Sequence, residues 1–298
     1  MSRPRPAGAT RVPSPQRLRR LAEGAALIGG RIVRAAYGRS YTVSLKRDGS
    51  EVTTIDLTAE RGILACLRAQ RPQDVFIAEE RSTPNGRAAP GFWKQRPEAR
   101  KAEAHLVWAI DPLDGTRNFI RGVPLFACSV AALQDGEPVA GAIYDPLRDV
   151  LYSAAAGHGA FANGRRLRLT QGASRRGNAA DGVLAPRRRL IVAIPSVRCR
   201  MARGLVRRVL AQHVVRNLGT TALHLALVAE GGFDAAISNN SRLWDIAAGA
   251  LLVIEAGGVI STPDGQALFP LDMRAYRGGP IPTLAGARAA HARLLRGA

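Results

Sequence analysis

The sequence is poor in cysteine and in aromatic residues, and it has no long apolar run. Its 298 residues include three cysteines, and only 5% are aromatic. Cys66, Cys128 and Cys199 are far apart and form no Cys-x-x-Cys pair, which argues against a disulfide framework and a thiolate metal site. No apolar run reaches the ~18 to 20 residues that a membrane-spanning helix needs, and the N-terminus lacks the apolar core of a secretory signal. These absences predict a cytoplasmic protein with no membrane partner.

Acidic residues are scarce relative to basic ones. The chain has 23 Asp and Glu against 43 Lys and Arg, which gives a formal net charge of +20. All but three of the basic residues (Lys46, Lys94 and Lys101) are arginines. Such a surplus favours anionic partners. However, the arginines are spread along the chain and no aromatic ladder for base stacking lies among them. We therefore expect a solvated arginine-rich surface rather than a nucleic-acid partner.

Hydrophobic residues make up 46% of the chain, enough for a large core. The proline-rich residues 1–15 predict a disordered basic tail. Residues 16–298 predict a single domain of two α/β halves, about 16–185 and 186–298. Apolar spacing predicts helices at about 16–37, 56–69, 220–229 and 246–256, and strands at 75–78, 106–110 and 190–194. Residues 123–170 predict an antiparallel meander, 81–104 an exposed loop, and 171–188 a basic polar connection.

Three carboxylate clusters stand at predicted strand ends or helix starts: Glu79-Glu80, Asp111 with Asp114, and Asp245. Carboxylates that are forced together repel one another unless something neutralises them. A hard divalent cation does so with oxygen ligands. None of the five histidines lies in a cluster. A nitrogen-based zinc site is therefore not expected, and the pattern favours magnesium.

The middle cluster, Asp111-Pro-Leu-Asp-Gly-Thr116, has a spacing that suits phosphate chemistry. Pro112 fixes φ and Gly115 permits a sharp turn, so the two carboxylates converge. The N–H groups of Gly115 and Thr116 would then open a helix, where an anionic phosphate binds well. An ordinary turn also explains the hexapeptide taken alone. Aspartates three apart disfavour a covalent aspartyl-phosphate route, and the chain has neither a serine-hydrolase elbow nor a P-loop.

Several segments together resemble the inositol monophosphatase family. Its three signatures are similar to Ile77-Ala-Glu-Glu80, to Trp108-Ala-Ile-Asp-Pro-Leu-Asp-Gly-Thr-Arg-Asn-Phe119, and to Trp244-Asp-Ile-Ala-Ala-Gly249 with Glu255-Ala-Gly-Gly258. Residues 157–164 resemble the strand and turn between those signatures, and residues 48–56 resemble the N-terminal metal-site loop. The similarity extends from about residue 16 to 290. Long segments in the right order make a chance match negligible.

The resemblance implies an α+β fold, the layered αβαβα sandwich of the inositol monophosphatase and fructose-1,6-bisphosphatase type. It also implies a lithium-sensitive phosphoric monoester hydrolase that uses a metal-activated water and two to three Mg²⁺ ions. The expected partner is a small anionic phosphate ester, and the family is often dimeric. By matching position, Glu79, Asp111 and the Leu113 carbonyl would hold the first ion. Asp111, Asp114 and Asp245 would hold the second.

The resemblance further assigns catalytic and substrate roles. Glu79 would help place a third ion and the attacking water, which Thr116 paired with Asp56 would orient or deprotonate. Lys46 would either approach the phosphate or be solvated, and Trp244 would pack rather than contact substrate. The implied substrate contacts are Leu113, Asp114, Gly115, Thr116, Gly219, Thr220, Thr221, Ser238 and Asp245.

The sequence indicates less clearly which phosphate ester is the substrate. Inositol-cleaving members have a glutamate seven residues before the last metal aspartate, where this chain has Ser238. The 3′(2′),5′-bisphosphate nucleotidases usually have Lys-Glu in place of Arg117-Asn118, while residues 119–124 also resemble the histidinol-phosphate phosphatases. The resulting order is inositol-1-phosphate or a related polyol or sugar phosphate, then a bisphosphate nucleotide, then histidinol phosphate. A basic nucleic-acid-associated protein on this scaffold is the non-enzymatic alternative.

Overall fold

The computed structural model describes residues 12–46, 48–80, 106–169, 189–194 and 203–296. The first elements are helix α1 (Pro15–Ala36), the hairpin strands β1 (Val43–Leu45) and β2 (Glu51–Thr53), and helix α2 (Thr54–Gln70). Ser14 caps α1, and Val12 packs against the core beneath it. Helix α1 thus begins one residue before the predicted start at residue 16, and the disordered tail stays a prediction. Residues 1–11 lie outside the described chain.

A seven-stranded sheet follows. Its strands are β3 (Val75–Ala78), β4 (Leu106–Asp114), β5 (Ala127–Gln134), β6 (Glu137–Asp145), β7 (Val150–Ala155), β8 (Gly159–Ala162) and β9 (Arg165–Arg166), in that spatial order, with helix α3 (Thr116–Ile120) between β4 and β5. Strands β3 and β4 are parallel, and the later neighbours are antiparallel. The meander predicted over residues 123–170 is confirmed as β5 to β9. The predicted loop at 81–104 and the connection at 171–188 lie outside the described residues.

The rest of the chain builds a five-stranded sheet. Its elements are β10 (Ile191–Ala193), α4 (Arg203–Gln212), β11 (Val214–Arg216), α5 (Thr221–Glu230), β12 (Ala235–Ser238), α6 (Leu243–Glu255), β13 (Val259–Ser261), β14 (Thr283–Gly286) and α7 (Arg288–Arg296). The spatial order is β11-β10-β12-β14-β13, and β10 runs parallel to both of its neighbours. The predicted helices and strands all occur, with ends shifted by at most four residues; the largest shift is at β4, which ends at Asp114 rather than at residue 110. The proposed division at residue 185 falls outside the described chain and stays a prediction.

The elements stack in five layers. Helices α1 and α2 cover one face of the seven-stranded sheet, α5 and α6 lie between the sheets, and α4 and α7 cover the outer face of the second sheet. On β4, Trp108 and Ile110 face α1 and α2, while Val107 and Ala109 face the middle helices. This alternation buries both faces of the strand. The predicted α+β fold, an αβαβα sandwich, is confirmed. In the described chain, no helix is long and apolar enough to cross a membrane.

The layers bring the polar ends of several elements together. Because β3 and β4 are parallel, their carboxyl ends meet at one edge, and Glu79 N donates to Ile110 O at 3.1 Å. Glu79 therefore lies beside Asp111. Ser129, the partner of Asp111 across the sheet, donates from its hydroxyl to Trp244 O at 3.1 Å. This bond holds the first turn of α6 against the same edge.

Two glycines of α1 test how closely this helix packs. A Cβ at Gly30 would lie 2.2 Å from a ring carbon of Tyr144, whereas a Cβ at Gly24 would have no heavy atom within 4 Å. We expect Gly24→Ala to raise the free energy of unfolding by about 0.5–1 kcal/mol through helix propensity. We expect Gly30→Ala to lower it by about 1–3 kcal/mol through overpacking. Urea unfolding measures both, and changes of equal sign would contradict the close contact between α1 and β6.

Candidate active site

The turn after β4 is shaped by a β-bulge and a glycine. The pairing register with β5 shifts between Asp111 and Asp114. Leu113 N donates to Asp111 Oδ1 at 3.0 Å. Gly115 has a left-handed φ of 98°, and a Cβ there would lie 3.0 Å from Leu125 O. Glycine is therefore required at this position, and α3 begins immediately after it.

The structure brings the three acidic clusters of the sequence into one site. Burial, followed by the charges of Glu79, Asp114 and Asp245, raises the pKa of Asp111 well above its usual range. Burial, followed by the charges of Asp114 and Glu79, does the same for the pKa of Asp245. Burial raises the pKa of Asp114 to about 6, and Glu79 adds to the rise. Mutual effects of this kind arise when like charges lie near one another in a poorly solvated part of the protein.

Two of these carboxylates are held by the second half of the chain. Asp114 Oδ2 accepts from Thr220 Oγ1 and from Ala222 N, both at 2.6 Å, at the start of α5. Asp245 Oδ2 accepts from Arg242 N at 2.7 Å, which caps α6. The site therefore spans both sheets, and it depends on the N-terminal turns of two buried helices.

Lys46 reaches the acidic site from the turn of the β1–β2 hairpin. Its Nζ donates to Glu79 Oε1 at 2.8 Å and to Glu80 Oε1 at 2.7 Å. The Lys46 side chain is 17% exposed and that of Glu80 only 3%. Burial, followed by the Glu79 charge, raises the pKa of Glu80 to about 8. Lys46 is thus a paired cation at the site and is not solvated.

The donor set of the site fits a hard divalent cation. Glu79, Asp111, Asp114 and Asp245 offer only oxygen, and their charges oppose one another in a poorly hydrated place. Among the described residues, no three Asp, Glu, His or Cys side chains already stand as a ready metal-binding group. Three of the carboxylates are bound to partners in the protein instead: Glu79 to Lys46, Asp114 to the start of α5, and Asp245 to the start of α6. A shared ion would compete with those partners for the same oxygens.

Thr116 and Asp56 form a hydrogen-bonded pair at the edge of this site. Thr116 Oγ1 lies 2.9 Å from Asp56 Oδ1 and 3.0 Å from Leu113 O. Asp56 is fully buried, and burial raises its pKa although its hydrogen bonds to Thr53 and Thr116 oppose the rise. Asp56 Oδ2 accepts from Thr53 N at 2.9 Å and from the Thr53 hydroxyl. This capping box fixes the Asp56 carboxylate, and the Thr-x-x-Asp spacing in the sequence is its signal.

The remaining predicted contact residues form a neutral hydroxyl-bearing wall. Thr220 caps α5, and Thr221 Oγ1 lies 2.7 Å from Ser241 Oγ, which is in turn bonded to Ser238 Oγ. Ser238 is buried at the end of β12. The predicted packing role of Trp244 is confirmed, because this side chain is 2% exposed and lies in the core between the sheets.

Comparisons with known proteins agree with this fold. The model of the inositol monophosphatase family matches residues 14–296. The chain is 39% identical to an inositol-1-monophosphatase of Mesorhizobium japonicum, over 81% of this chain and 84% of the relative. It is 36% identical to the Nus factor SuhB of Pseudomonas aeruginosa, over 82% and 85%. The solved extragenic suppressor protein suhB of Bartonella henselae superposes with a TM-score of 0.74 and 31% identity, over 94% and 98%.

If the carboxylates of the site repel one another, two Asp→Asn variants should change the Tm of the metal-free protein in opposite directions. Asp111→Asn keeps the acceptor for Leu113 N but removes a charge from the cluster. We expect the Tm of the metal-free protein to rise by roughly 2 °C or more, and the Tm increase caused by Mg²⁺ to fall to less than half of the wild-type increase.

Asp74→Asn is the matched control, because Asp74 is a buried carboxylate neutralised by Arg71 and bonded to Trp108 Nε1 at 2.8 Å. We expect it to lower the Tm in both conditions and to leave the Mg²⁺-induced increase unchanged. Differential scanning fluorimetry of the wild type and both variants, with and without Mg²⁺, measures these six Tm values. A lower metal-free Tm for Asp111→Asn would contradict the repulsion.

Proposed function

Because the chain belongs to the inositol monophosphatase family, we propose that it hydrolyses a small phosphate monoester with the help of Mg²⁺. The observation that carries this proposal is the group of mutually repelling carboxylates beside the Thr116–Asp56 pair. The preferred substrate class is inositol-1-phosphate or a related polyol or sugar phosphate. Sensitivity to lithium is part of the proposal, and a cytoplasmic location and a homodimer stay predictions.

The cation ligands proposed are the carboxylates of the acidic site and one backbone carbonyl. One Mg²⁺ would be held by Glu79, Asp111 and Leu113 O. A second would be held by Asp111, Asp114 and Asp245. Glu79 would also contact a third ion. When bound, the ions would supply positive charge that activates water and stabilises the phosphate oxygens and the leaving oxygen. The chain's own residues bind and orient the substrate and accept the proton.

The phosphate would be gripped by backbone donors at helix starts. Gly115 and Thr116 open α3, and their N–H groups suit an anion there. Thr220, held by its bond to Asp114, would face the ester from the start of α5. Thr116 Oγ1 donates toward Asp56 Oδ1, so its lone pairs are free to accept a proton from the attacking water. Asp56 would then take the Thr116 proton, a role that its raised pKa favours.

The neutral wall is relevant to the choice of ester. The hydroxyls of Ser238, Ser241 and Thr221 bond to one another, with no carboxylate among them. Hydroxyl groups hydrogen-bond a polyol or sugar without adding negative charge, which supports the broad class over strict inositol specificity. A bisphosphate nucleotide is the second candidate and histidinol phosphate the third.

A nucleic-acid-associated role is the second candidate function. It is favoured by the net charge of +20 and by relatives that carry the name Nus factor SuhB, at 36% identity in Pseudomonas aeruginosa and 33% in Escherichia coli K12. The acidic site favours the enzyme, because binding alone gives no reason to bury repelling carboxylates. The two roles are compatible in one chain.

Phosphate release from a panel of esters tests the proposed function. The panel is inositol-1-phosphate, fructose 1,6-bisphosphate, adenosine 3′,5′-bisphosphate and histidinol phosphate, each with and without Mg²⁺ and with added Li⁺. We expect Mg²⁺-dependent release that Li⁺ inhibits, with inositol-1-phosphate or the sugar phosphate preferred. Asp114→Asn, which keeps the acceptor for Thr220, should abolish turnover without unfolding the protein. No release by folded wild-type protein would contradict the enzyme proposal, and preference for the nucleotide would promote the second substrate.

Variants of Thr116 and Asp56 test the proton path. Thr116→Ala and Asp56→Asn should each lower kcat by about 10²–10⁴-fold with little change in KM, because they remove the acceptor of the water proton. Thr116→Ser keeps the hydroxyl and should stay within about tenfold of wild type, well above those losses. Steady-state kinetics on the best ester measures all three variants. Equal kcat values for Thr116→Ala and Thr116→Ser would rule out the Thr116 hydroxyl as the acceptor.

A further inference from the structure

Asn118 connects the two halves of the site through a single amide group. It lies in α3, two residues after Thr116. Its Nδ2 donates to Leu125 O and to Leu218 O, both at 2.6 Å. A carboxamide carries two N–H donors, and both are used: one bonds to the chain between α3 and β5, and the other to the chain that leads into α5.

Both the carbonyl and the N–H group of Leu218 form hydrogen bonds to side chains. Leu218 O accepts from Asn118, and Leu218 N donates to His224 Nε2 at 2.9 Å. His224 is buried in α5, and burial lowers its pKa to about 4. The imidazole is therefore neutral near pH 7, with Nε2 as the acceptor. The backbone at Leu218 is thus fixed between α3 and α5.

The next residue, Gly219, packs directly on the Asn118 amide. Gly219 has a left-handed φ of 73°, and a Cβ there would lie 2.8 Å from Asn118 Nδ2. Thr220 and Ala222 follow and both donate to Asp114. The start of α5 is therefore joined to the β4–α3 turn by two separate connections, one through Asp114 and one through Asn118.

We propose that Asn118 is a positioning residue that sets the separation between the Gly115–Thr116 turn and the Gly219–Thr220 segment. This inference rests on the proposed function, because that separation matters only if a phosphate ester binds between the two segments. Asn118 acts through Leu218 and Gly219. A shift of the Gly219–Thr220 segment by about 1 Å is enough to lower a catalytic rate about a hundredfold.

Asn118→Asp tests the connection with minimal change of shape. It replaces the amide donors with a carboxylate that faces two carbonyl oxygens. Asn163→Asp is the matched control, because Asn163 Nδ2 donates to Asp149 O at 3.0 Å in a β-turn of the first sheet, outside the residues assigned to the site. Asn118→Ala is the second variant, which removes the donors without adding charge.

We expect Asn118→Asp and Asn118→Ala to speed amide hydrogen exchange in residues 217–223, and to lower kcat at least tenfold with a smaller change in KM. Asn163→Asp should change neither. The kinetic values are normalised to the folded fraction, so that a loss of stability alone leaves kcat unchanged.

Unchanged exchange in residues 217–223, or an unchanged kcat of the folded Asn118 variants, would overturn the inference. Wild-type protein that releases no phosphate from the panel would contradict the proposed function separately. Exchange and the Kd of inorganic phosphate with Mg²⁺ would then decide on Asn118. Weaker phosphate binding together with faster exchange supports the positioning role, and an unchanged Kd contradicts it.

Discussion

Repulsion among buried carboxylates is the constraint on which the rest of this site depends. Burial and the charges of Glu79 and Asp114 raise the pKa of Asp111 and of Asp245, and burial with the Glu79 charge raises the pKa of Asp114. Such a group opposes folding unless the scaffold holds it by other means and a cation offsets its charge. The scaffold supplies the means: parallel strands β3 and β4 set Glu79 beside Asp111, and the starts of α5 and α6 hold Asp114 and Asp245.

The net positive charge of the chain contrasts with the negative charge of the proposed site. The arginine surplus gives a charge of +20, yet the residues proposed to carry the chemistry are a few acids. A positive field around the protein favours the approach of anionic esters. At the site itself, Lys46 is the paired cation on Glu79 and Glu80. Local negative charge, rather than the overall positive charge, defines the proposed reaction.

Local signals in the sequence are sufficient to predict the turn and the helices. Asp111-Pro-Leu-Asp-Gly-Thr116 predicts the turn and the left-handed Gly115, and periodicity predicts the helices with ends shifted by at most three residues. The layer order came from the family resemblance, because no local pattern shows that α5 and α6 lie between two sheets. The bond from Asn118 to Leu218 crosses a hundred residues, and the burial of Lys46 against Glu80 depends on the hairpin position. Contacts of this kind arise from tertiary packing, which periodicity does not encode.

We propose that the carboxylates of Glu79, Asp111, Asp114 and Asp245 share divalent cations. The most direct measurement is a crystal structure of the wild-type protein soaked with Mn²⁺, with the anomalous signal of manganese used to locate the ions. We expect strong anomalous peaks between these carboxylates, with at least one peak in contact with Asp111. Saturating Mn²⁺ that gives no peak there, or peaks only at other acidic residues, would contradict it.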